Sequence, residues 1–340
     1  MAVDPLSVHV TDFGAVGDNS HDDGPAIREA HNFCSTHEPG FYLPLHFPVG
    51  RYKIDSAGAI PFINGMHWTG EGHYNDEKEY RSQIRYSKSH FFTLGGTREF
   101  AAFTGLCFDG RSQPYSLMAD GQLNYSTFDK CGFKNFNHVF NVPMLGCKIL
   151  NSFFQNNLCT GYFQGSDNII ANNYVSGSNY QEGGNSASAG PDTYVIKFGS
   201  FALNRVVRNF FTGRPQQIMS IKGDQTGTFY EGNWFDIADG PGIFAEDSFG
   251  AVFSGNSFNR CMIGQDPNAR ESFGWTDPDH DAIVRLKNCN SMGFWNNSFA
   301  FVHGLPAGDP VKTFHNTNCY NIQIGQNLFQ APYERLDLKD

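Results

Sequence analysis

An asparagine followed two positions later by an aromatic residue returns at intervals along this chain, and such a repeat constrains the fold more than any other feature of the sequence. Most of the aromatic positions are about 20 to 25 residues apart, and the longer intervals hold insertions. Two degenerate copies, Leu106-Cys107-Phe108 and Cys131-Gly132-Phe133, come first. The complete copies are Asn151-Ser152-Phe153, Asn172-Asn173-Tyr174, Asn209-Phe210-Phe211, Asn233-Trp234-Phe235, Asn256-Ser257-Phe258, Asn297-Ser298-Phe299 and Asn327-Leu328-Phe329.

This repeat predicts a β-solenoid in which each copy forms one coil. Each coil contributes a few short parallel strands, which pair with the equivalent strands of the next coil at about 4.8 Å and so satisfy their backbone hydrogen bonds. Equivalent side chains then stack on one another. We expect an inward phenylalanine ladder that fills the core, with Trp234 among the core residues, and an asparagine ladder whose amides bond to each other and to the turn backbone.

Composition favours strands over helices. Charged residues make up only 17% of the chain, whereas it contains 37 glycines and 33 phenylalanines, a mixture that suits turn-rich β structure. Short runs such as Tyr194-Val195-Ile196-Lys197-Phe198 are β-branched and aromatic, as strands are. The leucine spacing of a leucine-rich repeat is absent from the sequence. The predicted fold class is therefore all-β, a single-stranded parallel β-helix.

The N-terminus departs from this pattern. Asp22-Asp23-Gly24-Pro25 offers an N-cap and a proline in the first turn, and residues 26–33 read as a short helix. Such a helix would cover the open end of the solenoid. We therefore divide the chain into an N-terminal cap with the first coils, residues 1–95, and a β-helix body, residues 96–340, with loop insertions at 176–192 and 260–281.

Net charge narrows the range of partners. The chain carries a formal charge of −10 and has no cluster of lysine and arginine, which argues against nucleic acid as a partner. No stretch approaches the roughly 18 apolar residues that span a bilayer, and residues 1–20 lack the pattern of a signal peptide. We expect no membrane insertion.

The cysteines and histidines indicate no metal site and no cofactor. None of the eight cysteines forms a CxxC pair, and the histidines lack metal-ligand spacing. We expect buried free thiols, with Cys289 and Cys319 stacked as a ladder because each lies eight residues before its asparagine.

The segment Val10-Thr11-Asp12-Phe13-Gly14-Ala15-Val16-Gly17-Asp18, followed by Asp22-Asp23 and Ala26-Ile27, resembles the opening signature of the pectate-lyase-like right-handed parallel β-helix superfamily. Phe47-Pro48-Val49-Gly50-Arg51-Tyr52 and Trp68-Thr69-Gly70-Glu71-Gly72 resemble the elements that follow it. These motifs span about the first 75 residues. The resemblance implies a right-handed β-helix, and it implies that the aspartates of the signature shape turns rather than catalyse.

In character the chain resembles bacteriophage tailspikes and polysaccharide depolymerases, members of the same superfamily. The resemblance implies a polysaccharide substrate from a bacterial surface or another extracellular glycan. It also implies an extracellular or virion location and a homotrimer. Polysaccharide lyases and sugar epimerases share the fold, so the resemblance does not name the reaction.

Aligning the coils on their asparagines predicts the site. Asp224 and Asp247 both lie nine residues before their asparagine, with Glu246 beside them, which would place two carboxylates about 5 Å apart. We predict Asp224, Asp247 and Glu246 as catalytic residues. The same alignment gives one column of Lys197, Lys222, Ala245 and Arg285, and a second of Gly199, Asp224, Asp247 and Lys287.

The two insertions flank these coils and would wall a groove. Tyr180 and Trp275, which they carry, are predicted to stack on sugar rings, and Lys197, Lys222 and Arg285 to contact substrate.

Several functions fit this arrangement, of which an endo-glycosidase type depolymerase is the first. One of the three acids would protonate the leaving oxygen while another activates water or attacks the anomeric carbon. In a polysaccharide lyase, Lys222 or Lys197 would abstract a proton beside a uronate neutralised by Arg285 or by Ca²⁺. A non-catalytic glycan-binding or structural β-helix also fits, and so does an epimerase or intramolecular glycosyl transferase.

Overall fold

The structure is a computed structural model, and it describes residues 7–37, 41–56, 58–72, 81–86, 90–110, 116–177, 194–213, 217–238, 240–262, 282–300 and 312–329. The chain forms two compact units, Met1–Asn157 and Leu158–Asp340. The predicted division at residue 95 stays a prediction. Beyond residues 176–177 and 260–262, the two predicted insertions lie outside the described residues.

In the N-terminal unit the chain passes repeatedly through three sheets, in which every strand pairing is parallel. The strands of sheet 1 are Val8–His9, Leu45–Phe47, His67–Gly70, Ala102–Thr104, Thr127–Asp129 and Lys148–Leu150. Those of sheet 2 are Asp18–Asp22, Gly50–Ile54, Ser82–Tyr86, Cys107–Asp109, Gly132–Lys134 and Phe153–Asn157. Those of sheet 3 are Ile60–Pro61, His90–Glu99, Ser116–Asn124, His138–Phe140 and Met144–Leu145.

The C-terminal unit repeats the same three-sheet path, again with parallel pairing. The strands of sheet 1 are Ile169–Ala171, Arg205–Val207, Phe229–Glu231, Val252–Ser254, Gly293–Trp295 and Gln323–Gly325. Those of sheet 2 are Tyr174–Gly177, Phe210–Thr212, Trp234–Asp236, Ser257–Asn259, Ser298–Ala300 and Leu328–Phe329. Those of sheet 3 are Cys159–Ser166, Tyr194–Ala202, Gln217–Asp224, Ile243–Phe249, Ala282–Lys287 and Lys312–Thr317. The prediction of a parallel β-helix is confirmed.

The N-terminal helix is confirmed and runs over Gly24–Thr36, after a short 3-10 helix at Val10–Phe13. It buries Ile27, Ala30 and Cys34 among others and packs against the first strands of the N-terminal unit. None of the described helices is long and apolar enough to cross a membrane.

The aspartates of the N-terminal signature hold turns together, as predicted. The buried Asp23 carboxylate accepts hydrogen bonds from the backbone N–H groups of Val16 at 2.6 Å and Lys53 at 3.2 Å. It therefore does not cap the helix with its side chain, although it stands at the N-cap. Asp22 accepts N–H bonds from Gly24 and Asp55.

The asparagine ladder is confirmed in the C-terminal unit at the bend between sheets 1 and 2. Each ladder asparagine except the last donates its Nδ2 to the Oδ1 of the next, at 2.9 to 3.1 Å. Its backbone N–H bonds the same oxygen, and the Nδ2 of every member after the first also bonds a carbonyl of the preceding coil. The members are Asn173, Asn209, Asn233, Asn256, Asn297 and Asn327.

Two copies of the sequence repeat are out of register by one residue. Asn173, not Asn172, belongs to the ladder, and Tyr174 pairs with Phe210 rather than with Phe211. In the earlier copy Ser152 accepts the ladder bond from the Cys131 N–H, and Phe154 rather than Phe153 points inward beside Phe133. Asn151 and Asn172 instead adopt left-handed backbone angles, with φ of 49° and 57°, which asparagine tolerates better than most residues.

Stacked phenylalanines fill the core, as predicted. Phe258 stacks on Phe235 at 4.7 Å and on Phe299 at 4.8 Å, with nearly parallel rings. The prediction that Trp234 lies in the core is wrong: its side chain is 47% exposed on the outer face of sheet 2, beside Phe210. In these coils the first residue of the sheet 2 strand points outward, and the second carries the core ring.

All eight cysteines are free thiols, and all but the half-buried Cys319 are buried. The Cys289 N–H donates to Cys319 Sγ at 3.3 Å, which confirms the predicted pair.

The N-terminal unit buries one histidine in its core. The Trp68 Nε1–H donates to Tyr42 Oη at 2.8 Å, and Tyr42 Oη lies 2.7 Å from His31 Nδ1. In this contact one group donates and the other accepts, since a phenol hydroxyl and a neutral imidazole can each do either. Burial lowers the pKa of His31 to about 4.

We predict that replacing Asn256 with alanine lowers the free energy of unfolding by about 3 kcal/mol, since it removes the acceptor of the buried Asn233 backbone N–H and Nδ2 and the donor to the Tyr230 carbonyl. Urea denaturation measures the change. Ser257→Ala, at the next position on the same bend, is the matched control and should change stability by less than about 0.5 kcal/mol. Equal effects of the two substitutions would show that the ladder contributes no particular stability.

We also predict that stability falls between pH 6.5 and 4. The pKa of His31 is lower in the folded chain than in the unfolded one, so its contribution is complete above about 6.5 and is lost as pH falls toward about 4. The shift corresponds to about 3 kcal/mol. Urea unfolding at several pH values, followed by tryptophan fluorescence, measures it. His31→Gln should flatten this part of the profile, and an unchanged profile would contradict the assignment.

Candidate functional site

The outer face of sheet 3 in the C-terminal unit gathers charged side chains. Strand alternation turns Phe198, Ile221, Ala245 and Leu286 into the core, where they are buried and in register. The residue after each of these therefore points outward. This gives the column that we call the charged ladder, in which Lys222, Glu246 and Lys287 are register partners.

Charges alternate along this ladder. The Glu246 carboxylate lies between two ammonium groups, 3.7 Å from Lys222 Nζ and 3.3 Å from Lys287 Nζ. Lys222 Nζ also lies 3.2 Å from Asp247 Oδ2. Two carboxylates on neighbouring positions thus share one ammonium group at the surface of the sheet.

Asp247 owes its position to one extra residue in its strand. The register shifts between Lys222 and Gly223 on one strand, where Glu246 and Ser248 are the partners on the other, so Asp247 has no partner residue there. Its φ of 49° is left-handed. Bulges and left-handed residues of this kind turn a side chain out of the sheet and are frequent beside active sites.

Asparagines of the following coils support Asp247. Asn288 Nδ2 donates to Asp247 Oδ1 at 2.9 Å, and Asn318 Nδ2 donates to Asn288 Oδ1 at 3.3 Å. The Asn288 hydrogen bond and, after it, the Lys222 ammonium lower the pKa of Asp247. The Asp247 hydrogen bond and the charge of Glu246 raise the pKa of Lys222.

Asp224 lies apart from this pair. Its register partner is Phe249, two residues beyond Asp247, so the predicted alignment of Asp224 with Asp247 differs from the observed one by two residues. Its Oδ1 accepts the N–H of Thr226 at 2.8 Å in the turn that follows. Asp224 is half-buried on the same sheet, and its catalytic role stays a prediction.

Lys197 and Arg285 belong to a second outward column, two residues before the charged ladder. Lys197 pairs with Ser220, two residues before the predicted Lys222, and Arg285 pairs with Phe244, one residue before the predicted Ala245. Arg285 is buried, and its Nη1 donates to the carbonyls of Leu286 at 2.8 Å and His315 at 3.1 Å. Lys197 lies over the rings of Tyr162 and Tyr194.

Tyr180 and Trp275 lie outside the described residues, so their predicted stacking on sugars stays a prediction. Within the described ranges no group of three or more histidine, cysteine, aspartate or glutamate side chains could hold a metal ion.

The sequence interpretation missed Asn288 and Tyr162. Asn288-Cys289 and Asn318-Cys319 repeat the same dipeptide at equivalent places, and this repeat could have indicated a second asparagine ladder. Nothing in the sequence pattern pointed to Tyr162, whose position depends on Gly199 in the next coil.

Comparisons with solved structures show the fold. DFA-IIIase from Arthrobacter chlorophenolicus A6 in complex with DFA-III has a TM-score of 0.70 at 13% identity, covering 95% of this chain and 84% of that chain. The A-module of the mannuronan C-5 epimerase of Azotobacter vinelandii gives 0.52 at 11%, covering 96% and 98%. A surface adhesin of Streptococcus pneumoniae gives 0.53 at 16%, covering 95% and 78%.

These likenesses bear out the predicted fold, a right-handed parallel β-helix. No protein-family profile matches the sequence, and the curated proteins give no significant match.

We predict that the Asp247 carboxyl titrates below the ordinary aspartate range and that Asn288→Ala and Lys222→Met each raise its pKa, since the Asn288 bond and the Lys222 ammonium both stabilise the ionised carboxylate. Carboxyl ¹³C NMR titration of the three proteins measures this. An unchanged pKa of Asp247 in either variant would show that the substituted residue does not stabilise the carboxylate.

Proposed function

We propose that the protein is a carbohydrate-active enzyme that hydrolyses glycosidic bonds of a polysaccharide on the outer face of sheet 3. The observation that carries this proposal is the pair Glu246 and Asp247, two carboxylates that contact one ammonium group, Lys222. Glycosidases use two carboxyl groups separated by about 5 to 9.5 Å. Two side chains that share one ammonium group lie close enough to act on the same bond.

The lowered pKa gives Asp247 its role. A carboxyl that stays ionised at neutral and mildly acidic pH is suited to activate water or to attack the anomeric carbon. The proton for the leaving oxygen then comes from another acid on the face, Glu246 or Asp224. Amide substitutions of each acid separate these two donors.

The raised pKa of Lys222 favours hydrolysis over elimination. A lyase needs a neutral amine or another base to remove the proton beside a uronate carboxyl group. Two acidic neighbours hold Lys222 as an ammonium ion, which makes it a poor base. In the hydrolytic assignment the same ammonium group keeps Asp247 ionised.

The structural neighbours support a carbohydrate substrate. By their names, DFA-IIIase was solved with DFA-III, and the epimerase acts on mannuronan. For this chain we propose a bacterial surface glycan or another extracellular glycan as substrate, an extracellular or virion location, and a homotrimer. Light scattering of the purified protein tests the trimer, and a monomer would exclude it.

Non-catalytic glycan binding is the second candidate function. The observation that favours it is the pairing of Lys222, Glu246 and Lys287 with one another, since alternating charges on neighbouring strands also stabilise a sheet without any reaction. One of the structural neighbours is described as a surface adhesin. This candidate predicts glycan binding with no turnover.

The test is a panel of bacterial capsular and exopolysaccharides, mannuronan and plant glycans, scored for new reducing ends and for unsaturated uronate absorbance. We expect reducing ends without absorbance on at least one glycan. Asp247→Asn should then lower kcat by at least about 100-fold, the usual contribution of a catalytic acid or base. Of Glu246→Gln and Asp224→Asn, the one with the larger loss identifies the proton donor.

Asn259→Ala, on sheet 2 of the same unit, is the control and should keep full activity. Unsaturated products would overturn hydrolysis in favour of elimination. Binding without any product would favour the second candidate.

A further inference from the structure

Lys197 is fixed in place by two tyrosine rings. Its Nζ lies 5.3 Å from the centre of the Tyr162 ring and 5.2 Å from that of the Tyr194 ring. Tyr162 is its register partner on the preceding coil. Two rings within about 6 Å attract an ammonium group through their negative faces and limit its motion. The half-buried Lys197 side chain thus holds its charge at one place on the outer face of sheet 3.

Gly199 makes room for Tyr162. A Cβ atom added to Gly199 would lie only 2.7 Å from Tyr162 Oη and 3.0 Å from the ring carbons. The Tyr162 phenol therefore packs against the backbone of Gly199, where a larger residue would displace it. Gly199 follows Phe198, which pairs with Ile221 on the next coil. The Tyr162 phenol therefore contacts the strand that lies directly beside the strand of Lys222.

Lys197 differs from the other lysines of this face in its partners. Lys222 and Lys287 contact Glu246, and Lys222 also contacts Asp247. Among the residues that the structure describes, none places a carboxylate within 4.0 Å of Lys197. The two rings occupy part of the ammonium surface and leave N–H donors for an external acceptor. In a chain of net charge −10, a cation held in this way is suited to an anionic ligand.

We propose that Lys197, Tyr162 and Tyr194 form a subsite that binds an acidic group on the glycan, and that the substrate is therefore an anionic polysaccharide. The inference rests on the proposed function in one respect only, that the outer face of sheet 3 is where the glycan lies. The acidic group is a carboxylate or a sulfate, which share the charge and the acceptor oxygens that an ammonium group recognises. The subsite lies beside the charged ladder and would hold the polysaccharide across Glu246 and Asp247.

Binding measurements test the subsite without requiring turnover. The probes are polygalacturonate with its carboxyl-reduced form, alginate with its carboxyl-reduced form, and dextran sulfate with dextran. Isothermal titration with the full chain carrying Asp247→Asn should show that at least one charged polymer binds about tenfold more tightly than its neutral counterpart. The carboxylate and sulfate pairs distinguish the two sources of charge.

Substitutions connect that preference to the residues. Lys197→Met should abolish the preference for the charged polymer, while Lys148→Met, an exposed lysine on sheet 1 of the N-terminal unit, should leave it unchanged. Gly199→Ala should weaken binding by displacing Tyr162. Tyr162→Phe keeps the ring and should bind as the parent does. Thermal melting confirms that each variant is folded.

Three results would overturn the proposal: equal affinity for charged and neutral polymers, equal behaviour of Lys197→Met and Lys148→Met, or no binding of any charged polymer. These results are separable from a failure of the proposed function. Charge-selective binding without turnover by the unsubstituted chain would reject hydrolysis and keep the subsite. Turnover of a neutral glycan without charge-selective binding would keep hydrolysis and reject the subsite.

Discussion

Parallel pairing between successive coils is the constraint on which the rest of the structure depends. A strand two or three residues long cannot satisfy its own backbone hydrogen bonds, so its N–H and C=O groups must bond to the strands of neighbouring coils. That requirement fixes the register, and the register brings equivalent residues side by side. Phe235, Phe258 and Phe299 stack for this reason, and so do the amides of the asparagine ladder.

The candidate site uses the same register together with one departure from it. Lys222, Glu246 and Lys287 alternate in charge because they occupy one column, whereas Asp247 reaches Lys222 because its strand has one residue more than the strand before it. The following coils keep the extra position as Asn288 and Asn318, both left-handed like Asp247. A rigid scaffold thus supplies the positions, and one added residue brings a second carboxylate to the ammonium group.

Much of the fold could be predicted from sequence, because residues that stack in successive coils recur in the sequence at regular intervals. The spacing of asparagine and phenylalanine predicted the coils, the ladder and the stacked core, and Asp22-Asp23-Gly24-Pro25 predicted the helix. The alignment was less accurate where the repeat itself is ambiguous. Asn172-Asn173 offers two asparagines for one ladder position, and Trp234 fits the aromatic pattern although it points outward.

The site was predictable only in part, because counting back from an asparagine assumes that every coil has the same length. The extra residue at Asp247 breaks that assumption. It accounts for one of the two positions by which Asp224 misses its predicted alignment, and it brings Asp247 beside Glu246 to Lys222. Tyr162 depends on the absence of a side chain at Gly199, which is a property of two coils together. Sequence patterns describe a coil more reliably than they describe the fit between coils.

The bonds between the side-chain amides of the asparagine ladder have one direction, because in each the Nδ2 of one coil donates to the Oδ1 of the coil that follows. Such a row of hydrogen bonds repeats once per coil and always in the same direction. Removing residues 233–255 would bring Asn209 to Asn256 with donor and acceptor still matched, whereas removing half of that length would leave two buried amides misaligned. Solenoids of this type can therefore gain or lose length in steps of one repeat, while loops outside the ladder vary freely.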